Sequence, residues 1–266
     1  MAMNRIIVIT SGKGGVGKTT CTANLGMALA KAGKRVVVID ADFGLRNLDL
    51  LLGLENRIVY TALDVLAGEC RLDQALVKDK RQPNLALLPA AQNRSKESIT
   101  PEQMKKLVRA LTKAYNFVLI DSPAGIEMGF RNAIAAAREA IIVTTPEISA
   151  VRDADRVIGL LEANDIKAMR LIINRLKPSM VEAEQMMSVK DVQDILAVPL
   201  LGVIPDDEQV VVSTNNGEPL ILSKDLSKAG TAVSNIARRL QGEKVPLMDL
   251  SVPKENFFKK LRQLFN

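Results

Sequence analysis

Gly12, Lys13, Gly14, Gly15, Val16, Gly17, Lys18 and Thr19 stand in one run, directly behind the apolar stretch 5–10. They fit G-x-x-x-x-G-K-[ST], the pattern of a loop that wraps a polyphosphate. Glycine lets the backbone turn so that several N–H groups point inward at an anion. A helix opening at Lys18 brings the partial positive charge of its N-terminus to the same spot. Lys18 has the reach to meet β- and γ-phosphates, and Thr19 offers a hydroxyl to Mg²⁺, with Thr20 next in the same turn. A glycine-rich hairpin turn would explain the glycines but not their setting between a strand and a helix start. The chemistry implied is nucleotide binding.

Carboxylates supply the rest. The chain has no histidine, which removes the commonest general base and rules out Ser-His-Asp chemistry. Hydrolysis must then lean on an acid or on the positioning of water. Asp121 ends the run Phe117-Val118-Leu119-Ile120. An acid at the carboxyl end of a buried strand lies beside the phosphates, where Mg²⁺ needs anionic support. Gly125, a few residues on, could offer its N–H to a γ-phosphate. Asp40 and Asp42 follow a second such run, Val36-Val37-Val38-Ile39.

These residues need a rigid platform, and the pattern provides one. Short β-branched runs alternate with helical segments, the signature of one doubly wound, mostly parallel α/β sheet with helices on both faces. Strands are expected at 5–10, 36–40, 85–88, 117–121, 140–144, 168–174 and 200–204. Helices are expected at 18–32, 101–114, 149–163, 188–196 and 226–241. Thr100, Pro101 and Gln103 make a strong helix start, with a capping threonine, a first-turn proline and a glutamine able to reach back.

With 266 residues and 47% hydrophobic content, the chain can bury one sizeable core. Residues 1–242 read as a single domain, 243–253 as a linker with two prolines, and 254–266 as a separate tail. Cys21 and Cys70 lie far apart and form no C-x-x-C, so neither a disulfide framework nor a zinc site is indicated. The first strand begins too early for a signal peptide, and no apolar run approaches the ~20 residues that span a bilayer. A cytoplasmic protein is expected. A net charge of +6 suits an anionic membrane surface or DNA, and composition does not choose between them.

The tail changes character. Phe257, Phe258, Leu261, Leu264 and Phe265 fall on one stripe of a helix, with Lys259, Lys260 and Arg262 on the other side. Two homes compete for that stripe. One is the protein's own core; the other is the headgroup plane of an anionic membrane, which the basic flank favours.

Lys13 is the second lysine of a loop that needs one, and Lys-Gly-Gly-Val-Gly-Lys-Thr resembles the deviant Walker A ATPases of the MinD/ParA family. The resemblance extends over nearly the whole chain, through 42–49, 121–127 and the basic tail, and is closest to the family's septum-positioning members. It implies ATP and Mg²⁺ as ligands and a homodimer with ATP, in which Lys13 crosses to the nucleotide of the other subunit. It also implies that Asp42 orients the attacking water near Mg²⁺, with Asp40 in support. Asn174, Arg175, Pro205 and Asp206 match the places where the family holds the adenine. Arg152, Asp153 and Asp155 fall in the helix its partners engage. Those partners would be a MinC-like division inhibitor, a MinE-like activator and the inner membrane's cytoplasmic face, with no specific nucleic acid. The rival reading is a ParA-type partition ATPase on nucleoid DNA, which would not need a Phe-rich terminal helix.

Overall fold

Burial on both faces is what makes a run of Val, Ile and Leu a strand here, and all seven expected strands form. A computed structural model of the chain describes residues 4–42, 46–91 and 99–250. In chain order the elements are β1 (Arg5–Thr10), α1 (Lys18–Lys31), β2 (Val36–Asp40), α2 (Leu48–Leu52), α3 (Ala62–Ala67), α4 (Leu72–Ala75), β3 (Val77–Lys78), β4 (Leu85–Leu88) and α5 (Pro101–Leu111). There follow β5 (Phe117–Asp121), α6 (Met128–Ile134), β6 (Glu139–Thr144), α7 (Ile148–Ala163), β7 (Ala168–Leu176), α8 (Pro178–Glu182), α9 (Val189–Leu196), β8 (Leu200–Pro205), α10 (Glu208–Asn215) and α11 (Lys228–Leu240). The tail residues 254–266, with every membrane-facing side chain expected there, lie outside the described residues, as do 43–45 of the loop after Asp42.

The strands make one sheet in the order β3-β4-β2-β5-β1-β6-β7-β8. Every pairing is parallel except β3 with β4. The two-residue β3 is the strand the sequence does not announce, because it is too short to carry a period.

Alternation along each strand builds two cores. Ile6 and Val8 of β1, Val37 and Ile39 of β2, and Val118 and Ile120 of β5 join the side chains of α5, α6, α7 and α9 on one face. Their neighbours Ile7, Ile9, Val36, Val38, Phe117 and Leu119 join α1, α2 and α11 on the other. The cap of α5 forms as expected: Thr100 N–H donates to Gln103 Oε1 at 2.8 Å, and Gln103 N–H donates back to Thr100 Oγ1 at 3.3 Å.

The expected linker is partly anchored. Arg239 Nε donates to the Val245 carbonyl at 2.8 Å and Nη2 to the Pro246 carbonyl at 2.6 Å, while Nη1 donates to Leu201 O on β8 at 2.9 Å. Residues 245–246 are therefore strapped to α11 through Arg239, which itself reaches the edge strand β8. The carboxyl ends of β1, β2 and β5 come together at the middle of the sheet, with Asp40 directly across from Asp121. That is where an open parallel sheet forms its ligand crevice.

Candidate functional site

β1 delivers the chain to the loop 12–19 at the carboxyl edge of the sheet, and α1 leaves it from Lys18. The loop is pinned by packing that only glycine permits. A Cβ on Gly12 would collide with the backbone carbonyl of Asp153 in α7. Gly17 has φ +91°, and a Cβ there would collide with Nδ2 of Asn174. Gly14 and Gly15 stay exposed at the rim, while Val16 is buried beneath them. The loop thus lies clamped between α7 and β7, its crown open to solvent.

Below the crown is a buried ionic cluster. Lys18 Nζ lies 3.5 Å from Asp121 Oδ1, with side chains only 8% and 1% exposed. Thr22 Oγ1 donates to the same oxygen at 2.9 Å, and the Thr19 hydroxyl bonds to this carboxylate as well. Burial raises the pKa of Asp121, and Lys18, Thr19 and Thr22 work against that rise. Asp40 has no cation of its own. Burial, reinforced by Asp121 across the ladder, lifts it to about 7, against the pull of N–H donors from Asp42 and Leu48. Those N–H groups donate at 3.0 and 3.3 Å, so Asp40 ties the start of α2 to the end of β2. Asp42 stands next to it with Oδ1 buried and lacking a hydrogen-bond partner.

Lys13 is elsewhere. Its Nζ lies 3.2 Å from Glu147 Oε2 and 3.1 Å from Ser149 Oγ, on the approach to α7 and in its first turn. The pair is exposed, 41% and 55% for the two side chains. Arg152 and Asp155 are exposed further along α7, and Asp153 is half-buried against the loop. Gly125 departs from expectation, because its N–H donates to Ser11 O at 3.3 Å rather than facing the crown free.

A cavity of about 310 Å³ opens beside the loop, lined by Gly17, Thr20, Cys21, Asn174, Arg175, Pro205, Asp206 and Asp207 among others. All four expected base-side residues therefore reach one space, although they come from the ends of two different strands. Asn174 is not free to offer its whole amide there. Its Nδ2 donates to the Val16 carbonyl at 2.8 Å, which makes it a strut under the loop. Asp206 pairs with Lys177 at 3.2 Å. Cys21 is buried at the cavity wall, where burial and Asp121 push its thiol up to about 12 and keep it protonated. Larger hollows of about 510 and 560 Å³ border α5, one against residues 135–138 and the other against α6, but they hold no acid or phosphate cradle. Chemistry, not volume, picks the site.

Several contributors escape sequence reading. Glu147 is one, and Thr22, one turn after Lys18, is another. Asp207 caps α10 through Gln209 N–H at 3.0 Å and also holds Ala229 N–H at 3.1 Å, which fixes the cavity's far wall. The Asp-Asp-Glu run after β8 signals that cap. Among the described residues no group of three or more acidic, Cys or His side chains could hold a metal. A cation at Thr19 would take most of its ligands from phosphate and water, the habit of Mg²⁺. The orphan oxygen of Asp42 and the nearby Asp121 suit that role.

The family model described as the CobQ/CobB/MinD/ParA nucleotide binding domain matches residues 7–220. The putative septum site-determining protein MinD of Guillardia theta is 67% identical over 263 residues, covering 99% of this chain and 98% of its own. Among solved structures, a chain of the MinC:MinD cell division protein complex of Aquifex aeolicus superposes with a TM-score of 0.86 at 52% identity, over 92% of this chain and 98% of that one. The septum site-determining protein MinD of Pyrococcus horikoshii, complexed with Mg-ADP, gives 0.81 at 36% identity, over 90% and 96%. Sequence and architecture are thus shared over almost their full lengths, and this chain belongs to the CobQ/CobB/MinD/ParA nucleotide-binding family, on its septum site-determining MinD branch.

Proposed function

We propose that the chain is an ATPase that dimerises around ATP and, as a pair, holds to an anionic membrane, where it carries a MinC-like division inhibitor to set the division site. A MinE-like activator speeds hydrolysis and releases the pair. The carrying observation is the contrast within one loop: Lys18 is buried against Asp121, while Lys13 stands at the surface with only Glu147 and Ser149 to hold it. A second lysine so placed is available to another copy's phosphates, as an arginine finger is.

The residues fit Mg²⁺ and ATP. Bound Mg²⁺ would neutralise charge between the β- and γ-phosphates. Thr19 would hold it, with Asp42 and Asp121 nearby. The N–H groups of 12–19 and the α1 terminus would bind the phosphates, and Lys18 would meet the β/γ pair. Asn174, Arg175, Pro205 and Asp206 would border the base. Asp42, lacking a partner for one oxygen, would orient the attacking water without needing to take its proton. Support for the division role comes from the relatives' names and from the Aquifex MinC:MinD complex. By the same likeness Arg152, Asp153 and Asp155 on α7 would meet the protein partners.

The membrane half rests on the tail's composition. No helix among the described residues is long and apolar enough to cross a bilayer. Each basic residue near an anionic surface contributes about 1 kcal/mol, so a single tail binds weakly. Two tails on one ATP-bridged pair gain ~10²–10⁴ in avidity with no new contact. The expected place is the cytoplasmic face of the inner membrane.

Sedimentation with anionic liposomes in ATP and in ADP, for the full chain and for a chain ending at Val252, tests this. Strong pelleting is expected only for the full chain in ATP, with weak pelleting of the full chain in ADP and nucleotide binding intact in both. Equal pelleting of the shortened chain refutes the tail, and ATP-dependent retention on DNA in place of lipid returns the partition reading.

A further inference from the structure

Beyond the strap at 245–246, Leu247, Met248 and Leu250 form one wall of a groove of about 390 Å³. Pro178 and Val181 of α8, Val189 of α9 and Val203 of β8 form the others. Val181, Val189 and Val203 are only half-buried, and Leu247 is 51% exposed. The groove is an open apolar surface of the kind that receives the apolar face of a helix.

What lies nearest to it is the chain's own continuation. Sixteen residues follow Leu250, and the apolar stripe begins seven positions on, at Phe257. Seven residues span at most about 25 Å, so the stripe starts within reach of the groove. Phe257, Phe258, Leu261, Leu264 and Phe265 form a face that has no reason to stay in water. Charge agrees: Glu182 is among the residues at the groove, and Lys259, Lys260 and Arg262 flank the stripe. Tethering decides between occupants. A segment on a short linker faces its site at an effective concentration near millimolar, beyond what a free partner reaches.

We infer that the groove between α8, α9 and the segment 247–250 stows the tail's apolar stripe whenever the tail is off lipid. A lone copy then keeps its stripe covered, and lipid must win it from the groove. This raises the threshold that a single tail faces and sharpens the advantage of the pair. The consequence for membranes rests on the function proposed above; the stowage itself does not.

The test uses the full chain in ADP, with trypsin cleavage at Lys259, Lys260 and Arg262 followed by mass spectrometry. A docked helix must open before it is cut. Val181→Gln with Val189→Gln, and separately Leu250→Gln, place polar groups in the groove without adding tryptic sites. Both changes are expected to speed tail cleavage about fivefold or more, leaving nucleotide binding unchanged. Both should also raise pelleting with phosphatidylglycerol–phosphatidylcholine vesicles in ADP about threefold. If one variant fails to fold, the other decides. Equal cleavage rates in parent and variants overturn the inference. Faster cleavage with no vesicle binding in either nucleotide leaves the stowage standing and removes the membrane reading instead.

Discussion

Lys18 and Lys13 are five residues apart on one loop and live in different solvents. Lys18 is 8% exposed and faces a carboxylate that is 1% exposed. Lys13 is 41% exposed and leans on a glutamate more exposed still. The first pair sits where charges interact strongly and where losing one partner strands the other. The second sits in water, where an ion pair is worth about 0–1 kcal/mol. One lysine is therefore part of the platform, while the other can leave its place at almost no cost. A loop that binds in cis and reaches out in trans needs that division.

Removing Lys18 should have the largest effect. Lys18→Ala leaves Asp121 buried without its cation, and breaking such a pair costs about 3–5 kcal/mol. Burial already pushes Asp121 up, and the variant should push it further, so the folded variant holds a proton that the unfolded chain releases. Its stability therefore falls as pH rises from the ordinary aspartate range towards the raised folded value. Thermal melts of the nucleotide-free variant at several pH values should show the deficit growing towards alkaline pH, with ATP binding weakened at least about 100-fold by calorimetry. A melting point equal to the parent's would mean that Lys18 is not part of the platform.

Why Lys18 was legible and its surroundings less so has a physical reason. The strands could be read because two-sided burial forces near-continuous Val, Ile and Leu, and the cap at Thr100 because it is local chemistry. The loop could be read because its spacing is set by the anion it wraps. Asn174 reads from the sequence as a base contact, and its second task, an amide nitrogen committed to Val16 O 158 positions away, does not show there. No local pattern announces a strut of that range. The clip at Arg81 was invisible for the same reason: it bonds Asp79 at 2.7 Å, the Gly217 carbonyl at 3.2 Å and Leu52 O. It thereby fastens the end of α2 to the turn after α10. Helices α2, α3, α4, α6, α8 and α10 are four to eight residues long, too short for their periodicity to stand out. Of these, α2, α3 and α6 are held by the residues they bury rather than by propensity.

Lys13→Ala should reverse the pattern seen at Lys18. Stability should change by less than about 1 kcal/mol, because only an exposed pair is lost. Dimerisation in ATP, followed by light scattering, should weaken by about 100-fold, the cost of truncating one partner of a charge pair buried between two copies. Monomer ATP binding should stay close to the parent's. A variant that still dimerises normally, or one that melts far below the parent, would erase the distinction between the two lysines.

The smallest effect is the most discriminating. Glu147→Gln removes the charge that holds Lys13 but keeps a side chain of the same shape. If Glu147 only parks the lysine in the single copy, freeing it favours the pair, and the ATP concentration for half-maximal dimerisation should fall. The gain is bounded by the worth of an exposed ion pair, so it cannot exceed about fivefold. It should shrink further as salt screens the pair in the parent. Should dimerisation weaken instead, Glu147 must keep its hold on a lysine after the copies meet, and the approach to α7 then belongs to the joint rather than to the resting state. The sign of this one change separates a parking place from an interface, since the exposed geometry of Lys13 and Glu147 is compatible with both and only the charge differs between them.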